Sequence, residues 1–70
     1  MNELQKNCFE IGYSAYKSGA SCIPSMNSEL VNKMEPYPNC HETRMMMLKA
    51  FVAGVDKAAD EKLAEILASE

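Results

Sequence analysis

The sequence has no tryptophan, only one arginine, and few aromatic residues, 7% of the chain. Its seven basic residues are dispersed and outnumbered by ten acidic residues, which leaves a net charge of −3. Proteins that bind nucleic acid without sequence preference rely on clustered lysine and arginine. The charge therefore argues against nonspecific nucleic-acid binding, and it is also too small to indicate a mimic of DNA.

The sequence also lacks long apolar runs, and no stretch approaches the roughly 20 apolar residues of a membrane-spanning helix. The N-terminal segment MNELQKN has no basic region followed by an apolar run, so we do not expect a secretory signal. Three cysteines are an odd number, which fits a reducing compartment better than a disulfide scaffold. We expect a cytoplasmic protein that does not enter a membrane.

What the sequence does contain indicates one small folded domain spanning residues 1–70. Its apolar fraction of 47% is normal for a globular protein, so wholesale disorder is not expected. A chain this short buries a small share of its surface and is usually marginal alone. Six methionines are many for this length, and methionine suits both core filling and adaptable contact surfaces.

The stretch from Asn39 to about Ala68 predicts one long helix. Asn39 is placed as an N-cap with Glu42 three residues later, which is the spacing of a capping box. No proline interrupts the segment, and its only glycine is Gly54. Alanine, glutamate and lysine, which favour helices, dominate the C-terminal part of the stretch.

This helix carries two apolar rows, although covering one neighbouring helix needs only one. The first row recurs at steps of three and four residues and contains Met45, Leu48, Val52, Val55, Ala59, Leu63 and Ile66. The second row lies about 80–100° around the helix and contains Met47, Phe51, Gly54 and Ala58. The second row predicts a further contact, in which helix one or a partner approaches closely at Gly54.

The first helix is predicted from Glu3 to about Ser18, with Asn2 and Gln5 at capping-box spacing and Gly19 as the C-terminal cap. It too has two apolar rows, and the second contains Phe9, Tyr13 and Tyr16. In the middle of the chain, either Ser25 or Asn27 is a suitable cap for a short helix to about Met34. The pattern predicts an all-α helical hairpin of two long helices with an elaborated connection that can hold a short third helix.

Two short motifs give this chain a likeness to a known family. The segment Gly12–Gly19 has the pattern Gly-Tyr-x-Ala-x-x-x-Gly, and the segment Ala50–Ala58 follows Pro36-Tyr37. Together they resemble the ribosome modulation factor family and its small relatives on phages and plasmids, although Phe51 and Val55 stand where those relatives have tryptophan. The resemblance implies a two-helix fold whose glycines allow close packing, and it makes a ribosome- or RNA-associated factor the alternative function.

The cysteines and the single histidine suggest three kinds of chemistry, each weakly. Cys8, Cys22, Cys40 and His41 are four possible zinc ligands, but no Cys-x-x-Cys pair is present. Cys22 and Cys40 are positioned to form a bridge across the connection under oxidising conditions only. His41 with a nearby cysteine suggests a base and a nucleophile, but the sequence contains no oxyanion-hole loop and no paired carboxylates to complete such a site. We expect no enzyme, cofactor, metal site or required disulfide.

These observations predict a non-enzymatic regulatory or inhibitory protein that binds a partner protein through apolar helix faces and also self-associates. The candidate partner-binding residues are Tyr13, Tyr16, Met47, Phe51, Gly54 and Ala58. Aromatic residues can stack on unpaired bases, but with few cations among them a protein contact or a core position is favoured. The resemblance suggests an accessory protein of a phage or mobile element acting on a host factor, and the alternative is a ribosome- or RNA-associated factor.

Overall fold

The structure is a computed structural model that describes residues 2–69. In chain order it contains α1 (Glu3–Ser18), a 3₁₀ turn (Pro24–Met26), α2 (Ser28–Met34) and α3 (His41–Ala68). α1 and α3 pack side by side and run in the same direction, since Asn2 lies near Met46 and Tyr13 near Glu61, and the connection between them returns along the pair. We use the word hairpin for α1, α3 and this connection together. The predicted all-α fold, in which two long helices pack on each other and a short helix lies in their connection, is confirmed.

Both ends of α1 are formed by the residues that the sequence indicates. The Asn2 side chain accepts a hydrogen bond from the Gln5 backbone N–H at 2.8 Å, and the Gln5 side chain accepts one from the Asn2 backbone at 2.9 Å. This reciprocal pair is a capping box. At the other end Gly19 has a φ of 81°, the left-handed conformation that glycine adopts without a steric cost.

The connection is organised by Asn27, which is almost fully buried. Its Oδ1 atom accepts a hydrogen bond from the Leu30 backbone N–H at 3.0 Å and so caps α2. Its Nδ2 atom donates to the Ser21 carbonyl oxygen at 2.9 Å. Of the two predicted caps, Asn27 is therefore the one used, and it also ties α2 to the chain that leaves α1.

The predicted capping box at the start of α3 is wrong. The helix begins at His41, and its N-cap is Cys40, which makes no side-chain capping bond. A turn precedes it, in which the Cys40 N–H donates to the Tyr37 carbonyl at 3.4 Å, while the Cys40 carbonyl accepts from Arg44 N–H at 2.9 Å. Asn39 lies within this turn, one residue too early to cap the first helical turn.

The core lies between α1 and α3 and is closed at one end by α2. Its fully buried side chains of largest volume are Phe51, Leu30, Met47 and Cys8, with Ala15, Met34, Ala50 and Ala58 around them. Leu4, Ile11, Tyr37, Leu48 and Val55 pack partly buried against this cluster. Small and large side chains alternate here, which allows two helices to approach closely and fill the space between them.

Candidate binding surfaces

The two helices touch most closely at a pair of glycines on facing sides. A Cβ atom built at Gly54 would lie 2.9 Å from the Tyr13 backbone nitrogen and closer still to the Phe9 carbonyl oxygen. A Cβ at Gly12 would lie 2.9 Å from the Phe51 carbonyl carbon and closer still to its oxygen. Real Cβ atoms do not come this close to backbone, so only glycine allows this approach at either position.

The close contact between the helices corrects the prediction for four of the six candidate partner-binding residues. Met47, Phe51, Gly54 and Ala58 are buried in the hairpin, and α1 is the element that covers them. Of the two alternatives at Gly54, helix one is therefore the observed neighbour, and these four residues present no open surface to a partner. Sequence periodicity shows which residues share a face but not which neighbour a face receives.

The two candidate tyrosines have different surroundings. Tyr13 is half-buried and donates a hydrogen bond from its hydroxyl to Glu61 Oε1, and Lys17 Nζ lies 3.1 Å from the same oxygen. Lys17 Nζ also lies 4.9 Å from the centre of the Tyr13 ring, a distance suited to a cation–π contact. Tyr16 remains 39% exposed, beside Lys62 and Glu65. Tyr13 thus joins the helices, while Tyr16 keeps an accessible surface.

The hydrogen bonds among Tyr13, Lys17 and Glu61 shift the pKa values of two of these side chains. The pKa of Glu61 lies below its usual value because the Tyr13 hydroxyl, and then Lys17, donate to the carboxylate. The pKa of Lys17 lies above its usual value because of its hydrogen bonding to Tyr13 and then to Glu61. Both side chains are more than one third exposed, so solvent screens their attraction. The arrangement holds the C-terminal end of α1 against α3.

An apolar surface remains on a flank of α3 that the rest of the hairpin covers only in part. We call it the outer face, and it comprises Met45, Leu48, Val52, Val55, Ala59, Leu63 and Ile66. Met45, Val52, Leu63 and Ile66 are between 40% and 55% exposed, and Leu48, Val55 and Ala59 are half-buried. This is the first apolar row of the sequence, and the hairpin covers only part of it.

The last turns of α3 have no helix beside them. Glu61 already contacts Lys17, which is next to the final residue of α1, so the segment from Leu63 onward extends past the hairpin. Leu63, Ile66 and Leu67 on this extension are each about half exposed or more. An apolar helix end of this kind gains stability when another surface covers it.

A groove lies between the connection and α3, and no sequence motif indicated it. It is lined by Pro24, Ser25, Val31, Asn32, Met34, Glu35, Pro38, Arg44 and Leu48. Leu48 belongs to both the groove and the outer face, so the two surfaces are continuous. Ile23 and Met26 stand exposed on the same connection. The groove exists because Asn27 and Tyr37 fold the connection back toward α3, which is a tertiary effect.

The three cysteines are free thiols in different surroundings. Cys8 is fully buried, and burial raises its pKa against a smaller opposing effect of the nearby Lys33 charge. Cys22 and Cys40 are exposed. Within residues 2–69 the structure contains no group of three or more His, Cys, Asp or Glu side chains arranged to hold a metal ion. The four residues considered as zinc ligands are therefore not brought together.

Among the described helices, none is both long and apolar enough to cross a membrane. Comparisons of the chain with protein-family models, with curated proteins and with solved structures gave no match.

Proposed function

We propose that this protein is a non-catalytic regulator that inhibits or modulates a partner protein by covering part of its surface. The observation that carries the proposal is the amount of apolar surface left open after the hairpin has closed, on the outer face and around the groove. Contiguous exposed apolar surface on a small protein typically marks a site of protein–protein contact. Methionine-rich contact surfaces adapt to their partners, and Met26 and Met45 are both exposed.

The surroundings of the three side chains whose pKa values are shifted support a non-catalytic role. Cys8 is enclosed in the core, where neither a substrate nor a base reaches its thiol. Lys17 and Glu61 are paired with each other on an exposed surface. A catalytic group is expected to combine a shifted pKa with an unpaired reactive group in a cleft, whereas Cys8 is enclosed and Lys17 and Glu61 are paired with each other.

The test is affinity capture from cell lysate with matched surface variants. The wild-type protein should retain one discrete protein, and replacing Met26 and Val31 together by serine should abolish its retention because both side chains are exposed near the groove. Replacing Glu29, an exposed polar residue of α2, by serine is the control and should leave retention unchanged. Equal capture by all three proteins, or capture of nothing, would contradict the proposal.

The second candidate is association with the ribosome, which the motif resemblance motivates. The motif residues Gly12 and Gly54 lie at the close helix contact, and Gly19 ends α1, so the hairpin is compatible with the implied two-helix fold. The net charge of −3 weighs against direct contact with RNA. Sedimentation of the protein with ribosomes in a sucrose gradient, and its release by moderate salt, would favour this candidate over the first.

A further inference from the structure

The outer face of α3 has the spacing of a coiled-coil seam. Met45, Val52, Ala59 and Ile66 recur every seven residues, and Leu48, Val55 and Lys62 form a second series between them. Alternating steps of three and four residues keep such a seam on one side of a helix and suit it to a second helix. Met45, Val52 and Ile66 of the series are exposed, while Leu48 and Val55 are partly buried against the core, so the exposed part of the seam is open to a partner from outside the hairpin.

We propose that the occupant of this face is a second copy of the same chain, packed antiparallel with Val52 of each copy opposite Val55 of the other. The inference rests on the proposed role of the outer face as a contact surface. In this register Leu48 lies opposite Ala59, a large residue against a small one, and Met45 lies opposite the alkyl stem of Lys62. A lysine at such a position keeps its charged end in water while its stem packs on apolar surface.

The charges beside the seam select this register. Lys49 and Asp56 are exposed and lie beside the seam, on the flank farther from α1. The antiparallel arrangement brings Lys49 of each copy next to Asp56 of the other. On the opposite flank, Arg44 of each copy comes next to Glu65 of the other. The two-fold symmetry of a homodimer repeats each pair, so four pairs of opposite charge border one interface.

Other pairings of the same two faces bring like charges together. Shifting the register by seven residues in one direction sets Lys49 against Lys49 of the second copy, and the opposite shift sets Asp56 against Asp56. A parallel arrangement places Arg44 beside Lys49. Like charges at these flanking positions destabilise a helix pair, so the distribution both favours the central antiparallel register and disfavours its competitors.

The same register accounts for the exposed end of α3. The seam from Met45 to Lys62 is about 25 Å long at the rise of an α-helix. Beyond it, Leu63 and Ile66 of one copy lie level with the start of α3 in the other, beside the groove that Val31 and Leu48 line. The segment that extends past α1 thus gains apolar cover, which a 70-residue chain with a small core needs.

Sedimentation equilibrium at micromolar concentrations, with charge-reversed variants, tests the inference. The wild-type protein should be a dimer. Lys49→Glu and Asp56→Lys should each weaken dimerisation about tenfold, since each replaces two attractive pairs by two repulsive ones. Mixing these two variants in equal amounts should restore the dimer, because the mixed pair regains opposite charges on both sides. Circular dichroism checks that each variant remains helical.

A second pair of variants tests the seam itself. Val52→Asp should give a folded monomer, because it places charge at the centre of the apolar layers. Ile23→Asp is the matched control, since Ile23 is equally apolar and exposed but lies away from the seam, and this variant should remain dimeric. A monomeric wild-type protein, or a dimer indifferent to Val52→Asp or to the charge reversals, would overturn the inference. A monomer that still captures a partner would leave the proposed function standing.

Discussion

Gly12 and Gly54 determine how closely the backbones of α1 and α3 approach, although neither contributes a side chain to the core. Each sits where the facing carbonyl group occupies the space that a Cβ would fill. Glycine within a helix costs about 1 kcal/mol relative to alanine, so each glycine lowers the intrinsic stability of its helix. That cost is offset by the burial of Phe51, Met47 and Ala58, which the short distance between the helices makes possible.

Replacing Gly54 by alanine should therefore destabilise the protein, despite the better helix propensity of alanine. The added Cβ meets backbone atoms of α1, which cannot rotate away as a side chain would, and we expect a net loss of about 2 kcal/mol. Gly54→Leu should cost more. Thermal melting followed by circular dichroism measures both effects. Ala53→Leu, on the exposed neighbour, is the control and should be nearly neutral. Two stabilised Gly54 variants would refute the close contact.

Two asparagines just before helices provide a second comparison at single residues. Asn27 caps α2 through its side chain, and Asn27→Ala should cost about 1–2 kcal/mol in the free energy of unfolding. Asn39 lies in the turn before α3 and makes no cap, so Asn39→Ala should cost almost nothing. Chemical denaturation of the two variants measures the contrast. If Asn39→Ala proved as costly as Asn27→Ala, the start of α3 would have to be one residue earlier.

At the scale of the elements, the sequence predicts the end of a helix correctly where a single side chain determines the local backbone conformation. The reciprocal spacing of Asn2 and Gln5 and the glycine at position 19 both place the ends of α1 correctly. The same rule did not predict the start of α3, because two prolines and the turn at Tyr37 fix the direction of the backbone there. Asn39 therefore lies in the turn and does not cap the helix. Local rules fail where the backbone conformation is fixed by neighbours in space.

The two apolar rows of α3 were also identified from sequence, with either helix one or a partner expected at Gly54, and the structure places helix one there. Periodicity identifies Met47, Phe51 and Ala58 as one face equally well whether α1 or another protein covers it. Gly54 carries the signal that favours helix one, since a glycine in one helix opposite Gly12 in the other indicates direct contact. The groove is lined both by the connection and by Arg44 and Leu48 of α3, so no local pattern in either segment reveals it.

The cluster of Tyr13, Lys17 and Glu61 joins the C-terminal end of α1 to α3, and its contribution to stability should depend on pH. Because the folded-state pKa of Glu61 is lowered, its contribution is present above its usual value of 4.5 and is lost as pH falls through the folded value. Because the pKa of Lys17 is raised, its contribution is present below its usual value of 10.5 and is lost as pH rises further.

The difference in melting temperature between the wild-type protein and Glu61→Gln should accordingly be small, constant near neutral pH, and absent in strong acid. Melting curves recorded from neutral pH to below pH 4 test this. Asp60→Asn removes the same charge from the adjacent position, outside the Tyr13 and Lys17 contacts, and should show no such profile. A Glu61→Gln difference that persists in strong acid would mean that the carboxylate is not the stabilising group.

At the scale of the whole molecule, the hairpin is elongated, with extents of 48 × 23 × 15 Å. So narrow a molecule encloses one small core, and α1, α2 and α3 each contribute to it. No helix can then separate from the others without exposing Leu30, Met47 or Phe51 to water. We therefore expect the chain to unfold as a single cooperative unit. The reactivity of the buried Cys8 thiol measures this unfolding.

Thiol labelling should divide the three cysteines into two classes. Thiolate is the reactive form, and Cys8 is disfavoured both by burial and by its raised pKa, whereas Cys22 and Cys40 are exposed. In the native protein two thiols should react quickly with an aromatic disulfide reagent, and the third should react only at the rate at which the hairpin opens. A Cys22→Ser/Cys40→Ser variant isolates Cys8, and denaturant provides the fully open reference. If this variant reacted as fast in buffer as in denaturant, the packing of α1 against α3 around Cys8 would be wrong.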